Sequence, residues 1–393
     1  MNGAIDVAVV GSGLIGKAFA LAAARWAGVS GAPLSLALVG PRELPPEAEF
    51  DSRVYALSPG NAAFLADIGA WSLIPEDRRI PVYAMRVHGD DADSVIEFDA
   101  YRAGVSELAW IVEDGKLQSA LQQGLDACAP LASVDSEPLE QIEFEIAHAM
   151  LRLASGRKRE ARLVVGADGA GSRVREAAGI EARVGDYRQV AVVANFACER
   201  PHRGVALQWF QRGPVLALLP LTGERVSMVW STGADDAARL LALDAVALCA
   251  EVEAASRGAL GALELITRAR GLPLQRLRAR RAVAPRVALI GDAAHVVHPL
   301  AGQGANLGLQ DARALAAALA ARAPFCDPGD LRLLRRYERS RAEPVLFMQA
   351  GIDGLQRLFA ARGTAAAFAR NRGLNLVDRL PVLKNIIARQ AMA

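Results

Sequence analysis

The chain has 393 residues, 52% of them hydrophobic and 22% charged, with a formal net charge of +2. That length exceeds one small core and predicts two closely joined domains. The near-neutral charge gives no reason to expect nucleic acid, no apolar run approaches the roughly 20 residues that span a bilayer, and the N-terminus lacks the basic start of a signal peptide.

Taken in chain order, "IDVAVV" (5–10) predicts a buried strand, and "GSGLIG" (11–16) follows it directly into the helix-forming "KAFALAAARWAG". Strand, glycine turn and helix in that order predict a dinucleotide site. Gly11 permits the tight turn, Gly13 lets the backbone reach a pyrophosphate, and Gly16 lets helix and strand pack closely. The amides and dipole of the helix start suit a diphosphate. The second strand, "LSLALVG" (34–40), should end in an acid that holds a ribose hydroxyl. Gly40 stands there instead, and Glu43 lies beyond Pro41.

"ARLVVGADGAGSRVREAAGI" (161–180) is again strand, turn and helix, with Asp168-Gly169 at the turn and Ser172 and Arg173 opening the helix. On these residues alone, a helix cap by Asp168 or Ser172 is the better reading. Between 186 and 233, "VAVVANFAC", "GVALQWFQRG", "PVLALLPL" and "RVSMVWST" alternate as successive strands of a sheet. The basic stretch "TRARGLPLQRLRARRAVAPR" (267–286) reads first as a solvated strand face, and second as a contact for an anionic surface.

"RVALIGD" (286–292) predicts a strand ending in Gly291-Asp292. "HPLAGQGANLG" (298–308) then brings Pro299, Gly302 and Gly304 into a turn ahead of a helix through "LGLQDARALAAALAARA". A carboxylate at a strand's C-terminal end can accept from a sugar or ribityl hydroxyl, and a glycine-rich helix start presents bare amides to an anion. His295 and His298 form HxxH, but two ligands are too few for a metal site. Each reads as a structural histidine, or as one close to a cofactor or substrate. Cys128, Cys198, Cys249 and Cys326 are widely spaced and form no CxxC, so they read as lone thiols in a reduced interior. No second GxGxxG occurs, so a nicotinamide donor would bind transiently. From Pro344 onward Lys and Arg outnumber the acids Asp353 and Asp378, with apolar positions at helical spacing. Such helices can lie on anionic lipid, dock a partner, or pack on the body of the protein.

The three glycine-bearing segments, in this order and spacing, resemble the group A flavoprotein monooxygenases, the para-hydroxybenzoate hydroxylase-like family. "FDSRVYALSPGNAAFLADIGAW" (50–71), "GPVLALLPL" (213–221), "GDAAHVVHPLAGQGANLGLQDA" (291–312) and the tail "LVDRLPVLKNIIARQAMA" are similar to the ubiquinone-biosynthesis FAD-dependent hydroxylases. The resemblance spans nearly the whole chain. It implies an α/β fold: a Rossmann-like FAD-binding domain, an inserted and mostly antiparallel β-sheet substrate domain, and a helical C-terminal region. The FAD-binding segments are expected at 1–75, 111–185 and 281–343. The substrate domain is expected at 76–110 and 186–280, and C-terminal helices at 344–393.

The resemblance further implies that Gly11, Gly13 and Gly16 cradle the FAD diphosphate and that Arg53 reaches the pyrophosphate region. Asp168 and Gly169 form a DG motif touching FAD and the path of the reductant. Asp292 holds the ribityl chain, and Pro299, Gly302, Gly304 and Asn306 line the isoalloxazine. His298 and Pro299 are the candidates nearest the chemistry, which is carried by the flavin itself. Trp209, Phe210, Leu219, Pro220 and Trp230 are candidates for the substrate wall, each with sheet core as the competing reading.

The expected reaction is hydroxylation of a phenolic prenylated ubiquinone precursor through a flavin C4a-hydroperoxide, with O2 as co-substrate and NAD(P)H or another electron donor as reductant. The expected location is cytoplasmic or peripheral to the inner face of the membrane, with the basic C-terminal helices contacting membrane or a quinone-biosynthesis complex. Two other readings stand beside it. One is a different FAD oxidoreductase of the same fold, such as a prenyl reductase. The other is a non-catalytic accessory flavoprotein, which the missing acid at Gly40 keeps open.

Overall fold

The computed structural model describes residues 5–29, 33–41, 49–89, 94–128, 132–211, 213–298 and 303–360. The first segment forms β1 (Ile5–Val10), α1 (Leu14–Val29) and β2 (Leu36–Val39). β3 (Val54–Leu57), α2 (Pro59–Asp67), β4 (Ile80–Val82), β5 (Ala84–His88), β6 (Val95–Asp99), α3 (Ala100–Ala103), β7 (Ala109–Glu113) and α4 (Asp114–Asp126) follow. β8 (Ala132–Asp135), β9 (Leu139–Phe144), β10 (Ala149–Leu153) and β11 (Lys158–Gly166) lead into the short α5 (Arg173–Ala177). The middle of the chain is β12 (Ala182–Cys198), β13 (Val205–Phe210), β14 (Val215–Leu221), β15 (Arg225–Gly233), α6 (Ala234–Ala242), α7 (Ala245–Ala255), β16 (Leu263–Leu265) and β17 (Arg270–Ala279). The last segment holds β18 (Val283–Ala284), β19 (Val287–Leu289), a 3-10 turn at Gly291–Ala293, β20 (His295–Val296), α8 (Gln303–Ala320) and α9 (Leu331–Ala360).

The nucleotide-type sheet runs β18-β19-β11-β1-β2-β8, and β19, β11, β1, β2 and β8 pair in parallel. β1 is central and buries Val7, Ala8, Val9 and Val10 in succession, as a strand covered on both faces must. One face packs on α1, α4 and α8 through residues such as Phe19, Leu121 and Leu315. The other is covered by the β9–β10 hairpin and α5 through Leu151, Leu153 and Val174. Three chain segments distant in sequence therefore end side by side at the C-terminal edge of one parallel sheet, where α/β folds place their ligands.

The second sheet runs β20-β17-β12-β15-β14-β13-β5-β6 and is antiparallel apart from the parallel β5–β13 pair. Helices α6 and α7 cover one of its faces, burying Leu240, Leu248 and Val252 against Val192, Phe196 and Met228. Both helices lie beyond residue 233, where the alternating strands end. The other face turns toward β7 and α8, through Ala206 and Leu221 beside Ile111 and through Phe210 and Val215 beside Leu307. A small third sheet, β3-β7-β4, joins the two. Pro344 ends no element: α9 runs through it from Leu331 to Ala360, so 344 is not a structural boundary. The basic stretch at 267–286 contains β17, most of whose side chains are exposed.

Candidate active site

The first glycine turn is tight for definite reasons. Gly11 has φ +112°, and a Cβ there would sit 2.2 Å from the Ala167 carbonyl oxygen on the neighbouring segment. A Cβ on Gly16 would sit 1.9 Å from the Gly11 carbonyl oxygen. Gly13 differs: nothing lies within 4 Å of its Cβ position, so its backbone faces open space. The same is true of Gly304 in the first turn of α8. Two helix starts thus leave open space beside their backbone, which suits anionic and polar parts of a ligand.

The third segment meets the first directly. A Cβ on Gly291 (φ +58°) would lie 3.2 Å from Ile15 Cγ1, and a Cβ on Gly308 would lie 2.7 Å from Ile15 Cδ1. Asp292 follows in the 3-10 turn. Its side chain is solvent-accessible and accepts no hydrogen bond from a described residue, while the surrounding protein raises its pKa by burial, opposed by His295 and Arg53. Asp292 thus stays open to solvent while the protein around it disfavours its charge.

Arg53, at the entry to β3, stands with its guanidinium carbon 5.4 Å from the Tyr55 ring centroid. Burial raises the Tyr55 pKa well above the ordinary value, as does its hydrogen bond with Asp114. Asp114 opens α4 and is raised by burial, against the lowering effect of Arg53 and of hydrogen bonds from Tyr55 and Gln118. Lys17, buried on α1, donates to Gln118 Oε1 at 2.9 Å. Tyr55, Asp114, Gln118 and Lys17 could not be singled out from the sequence, because no local pattern marks contacts between α1, β3 and α4.

Several expected residues serve structure with their side chains. The Asp168 carboxylate accepts from Ser172 Oγ at 2.5 Å and from the Val174 amide at 3.2 Å, and Ser172 caps α5. Gly169, at φ +80°, has open space at its Cβ position. Asn306 is buried and pins the start of α8 to β3 and α2: its Oδ1 accepts from the Ser58 amide at 2.9 Å and from Asn61 Nδ2 at 2.8 Å, and its Nδ2 donates to the Ala56 carbonyl at 2.8 Å. Gly40 lies against Ser12, whose amide nitrogen would be 3.1 Å from a Cβ there. The acid at the end of the adjacent β8, Asp135, is held by two guanidinium nitrogens of Arg159, Nε at 2.9 Å and Nη2 at 3.0 Å. Pro299, Gly302, Glu43 and the tail beyond residue 360 lie outside the described residues.

The substrate-wall candidates divide by face. Phe210 and Leu219 lie on the side turned toward β7 and α8. Trp209 and Trp230 do not: they pack with Leu207, Leu218 and Met228 under α6 and α7. Pro220 pairs with Val226 of that same cluster, so it shares that face. Trp209, Pro220 and Trp230 are therefore sheet core, because alternation fixes which residues share a face but not what covers it.

His298 is buried beneath β12. The Gln189 Oε1 atom lies 2.9 Å from His298 Nε2 and accepts from it in the tautomer protonated there. The Tyr187 ring meets it edge-on at 4.8 Å. Both come from a β-bulge between Asp186 and Gln189, where Arg188 takes φ +53°. Bulges of this kind re-aim side chains beside sites. His295 instead meets Asp311, so the two histidines of HxxH have separate partners.

The residues present suit FAD: open backbone at Gly13 and Gly304 could meet its diphosphate and isoalloxazine edge, the cation at Arg53 its diphosphate, and the accessible carboxylate of Asp292 its ribityl hydroxyls. The family model described as an FAD binding domain matches residues 134–346, more than half of the chain. The solved structure of PqsL from Pseudomonas aeruginosa in complex with 2-aminobenzoylacetate has the same fold, with TM-score 0.78 at 24% identity over 94% of this chain and 100% of that one. By its family match and its named relatives, the chain is an FAD-dependent monooxygenase. The chain is 35% identical to the ubiquinone hydroxylase UbiL of Rhodospirillum rubrum, over 98% of this chain and 89% of the relative. It is 30% identical to the 3-demethoxyubiquinol 3-hydroxylase of Escherichia coli, over 100% of this chain and 99% of that one. It belongs to the family of ubiquinone-biosynthesis FAD-dependent hydroxylases.

Proposed function

We propose that the chain hydroxylates the aromatic ring of a phenolic prenylated ubiquinone precursor. One carbon–hydrogen bond is replaced by carbon–oxygen: ring–H, O2, NAD(P)H and a proton give ring–OH, water and NAD(P)+. Bound FAD would supply the oxygen activation, which no protein side chain can perform alone. Gly11, Gly13 and Gly16 would hold its diphosphate, Arg53 the pyrophosphate region, Asp292 a ribityl hydroxyl, and the start of α8 at Gly304 the isoalloxazine. The helix dipole there favours the negative charge that a reduced flavin carries.

The observation that carries the reading is the pairing of this polar cradle with an apolar sheet face. Phe210 and Val215 lie against Val297 and Leu307, next to the segment that bears Asp292. Such a face orients an apolar ring and excludes water, which protects an oxygen-transfer step from uncoupling. His298, fixed by Gln189 and Tyr187, is the candidate to orient the phenolic hydroxyl. Among the described residues no helix is long and apolar enough to cross a membrane. A lipid-borne substrate then requires contact at the surface. The exposed Leu346 and Phe347 on α9, at 48% and 57% exposure, support a peripheral membrane contact.

The test is turnover under 18O2 with a prenylated phenol and NAD(P)H. One labelled oxygen per product molecule is the expected result. Substrate reduction without label would favour a reductase, and tight binding of a partner without flavin reduction would favour an accessory role.

A further inference from the structure

We infer that Asp311 is a positioning residue for the cofactor cradle, and that Arg341 and His295 act through it. Its carboxylate joins three segments. Oδ2 accepts from the Gly291 amide at 3.1 Å and lies 2.6 Å from His295 Nε2. Oδ1 accepts from Arg341 Nε at 2.7 Å. Asp311 is on α8, Arg341 on α9, and Gly291 and His295 flank Asp292. All three charged side chains are buried, with Asp311 at 0% exposure. The Arg341 Nη2 atom also donates to Gln310 Oε1 at 3.0 Å.

The geometry explains why a carboxylate is needed here. The Gly291 amide points inward from a turn at φ +58° and would be buried without an acceptor if Asp311 were apolar. The Gly291 amide and the ring and guanidinium nitrogens converge on two oxygens, which a neutral amide cannot serve, because it offers one acceptor oxygen. Tyr337, one helical turn before Arg341, donates to the Leu289 carbonyl at 2.8 Å. One face of α9 therefore braces both the strand that ends at Leu289 and the carboxylate that holds Gly291. Asp292 is left as the solvent-accessible side chain of that turn.

Charge completes the arrangement. The groups facing His295 are Asp311 from α8, Arg341 from α9 and Asp292 from its own segment. Arg175 donates to the Ala293 carbonyl at 3.0 Å, and Arg278 is the register partner of His295 on β17. Burial pulls the His295 pKa down, but the charge and hydrogen bond of Asp311 outweigh it and hold it above the ordinary value. Burial likewise pushes Asp311 up, and His295 and Arg341 bring it below the ordinary carboxylate value. The charge of a protonated His295 lowers the Asp292 carboxyl pKa, against the raising effect of burial.

This inference rests on the reading of Asp292 as the ribityl partner. The experiment titrates FAD into the wild-type apoprotein and into D311N and R341Q, and follows the His295 imidazole by NMR in each. D311N is expected to weaken FAD binding by about tenfold, the order of one lost charge-assisted hydrogen bond, and R341Q by a few-fold. His295 is expected to titrate at lower pH in D311N, which removes an anion, and at higher pH in R341Q, which removes a cation. Loosened packing alone would not move the two in opposite directions. Unchanged FAD affinity in both variants, or an unchanged His295 midpoint in both, overturns the inference. If D311N does not fold, R341Q and H295Q carry the test, and wild-type affinity in both overturns it. A wild-type protein that takes up no FAD would overturn the proposed function instead, while the histidine shifts would still judge the network.

Discussion

Ile15 and Gly308 interlock: a Cβ on Gly308 would come within 2.7 Å of Ile15 Cδ1 and 2.8 Å of its Cγ1. The first helix and the last segment of the nucleotide-type domain thus touch at a position where only glycine leaves room. The same isoleucine abuts Gly291, so one side chain from the N-terminal turn fixes two points of the late segment.

Gly308→Ala is therefore expected to destabilise the fold by about 1–3 kcal/mol, the usual range for an overpacked core. Adding Ile15→Ala removes the clash. The double variant should be more stable than the sum of the two singles implies, as contacting residues couple. Urea denaturation of the three proteins gives the coupling energy. Strict additivity would mean that the two segments do not meet.

Asp292 is expected to separate stability from binding. Its carboxyl pKa is raised in the folded chain, so ionisation is less favourable there than in the unfolded chain, and stability declines as pH rises through that raised value. Asp292→Asn should therefore stabilise the apoprotein at neutral pH while weakening FAD binding, and Asp292→Ala should reduce bound flavin. Thermal melts of apoprotein and flavin fluorescence titrations read the two effects. A variant that loses stability and keeps its flavin would contradict the assignment.

The two faces of the second sheet should respond differently. Trp230 Nε1 is buried with no hydrogen-bond partner among the described residues, so Trp230→Phe should be neutral or stabilising by roughly 1 kcal/mol. Trp209→Ala should cost about 3–5 kcal/mol as a core deletion. Neither change is expected to alter the substrate KM of protein that remains folded. Leu219→Trp, on the opposite face, should raise KM with little loss of stability. Steady-state kinetics beside denaturation curves separate these outcomes.

How much of this was legible beforehand follows from what each residue needs. Gly11 and Gly16 could be read because each fills a backbone position that a side chain would block. Gly291-Asp292 could be read because a strand end followed by a glycine-rich turn is a local pattern. The wall could not be read from "GVALQWFQRG" or "RVSMVWST". Alternation groups Trp209 with Trp230, but α6 and α7 decide that this group is core, and their cover is a tertiary fact. Asp168 shows the same limit from the other side: its plain capping role is the one its side chain performs. Asp311, Arg341 and Gln189 lie far in sequence from the residues they hold, so no spacing pointed to them.

The buried network should set a window of stability against pH. His295 has a raised pKa in the fold, so its contribution is complete below about 6.5 and is lost as pH rises through the folded value. Asp311 has a lowered pKa, so its contribution is present above about 3.9 and is lost as pH falls through the folded value. Histidine 295 replaced by glutamine (His295→Gln) should flatten the decline on the alkaline side and leave the acid limb in place. Melting temperatures taken across pH for the two proteins check this, and identical alkaline limbs would contradict it.

The central claim is that three distant stretches of the chain converge to hold one flavin. Equilibrium titration of the purified apoprotein with FAD, read by absorbance and flavin fluorescence, tests it most directly. The expected result is a yellow complex of one FAD per chain, weakened by Asp292→Ala. A colourless protein that takes up no added FAD would contradict it.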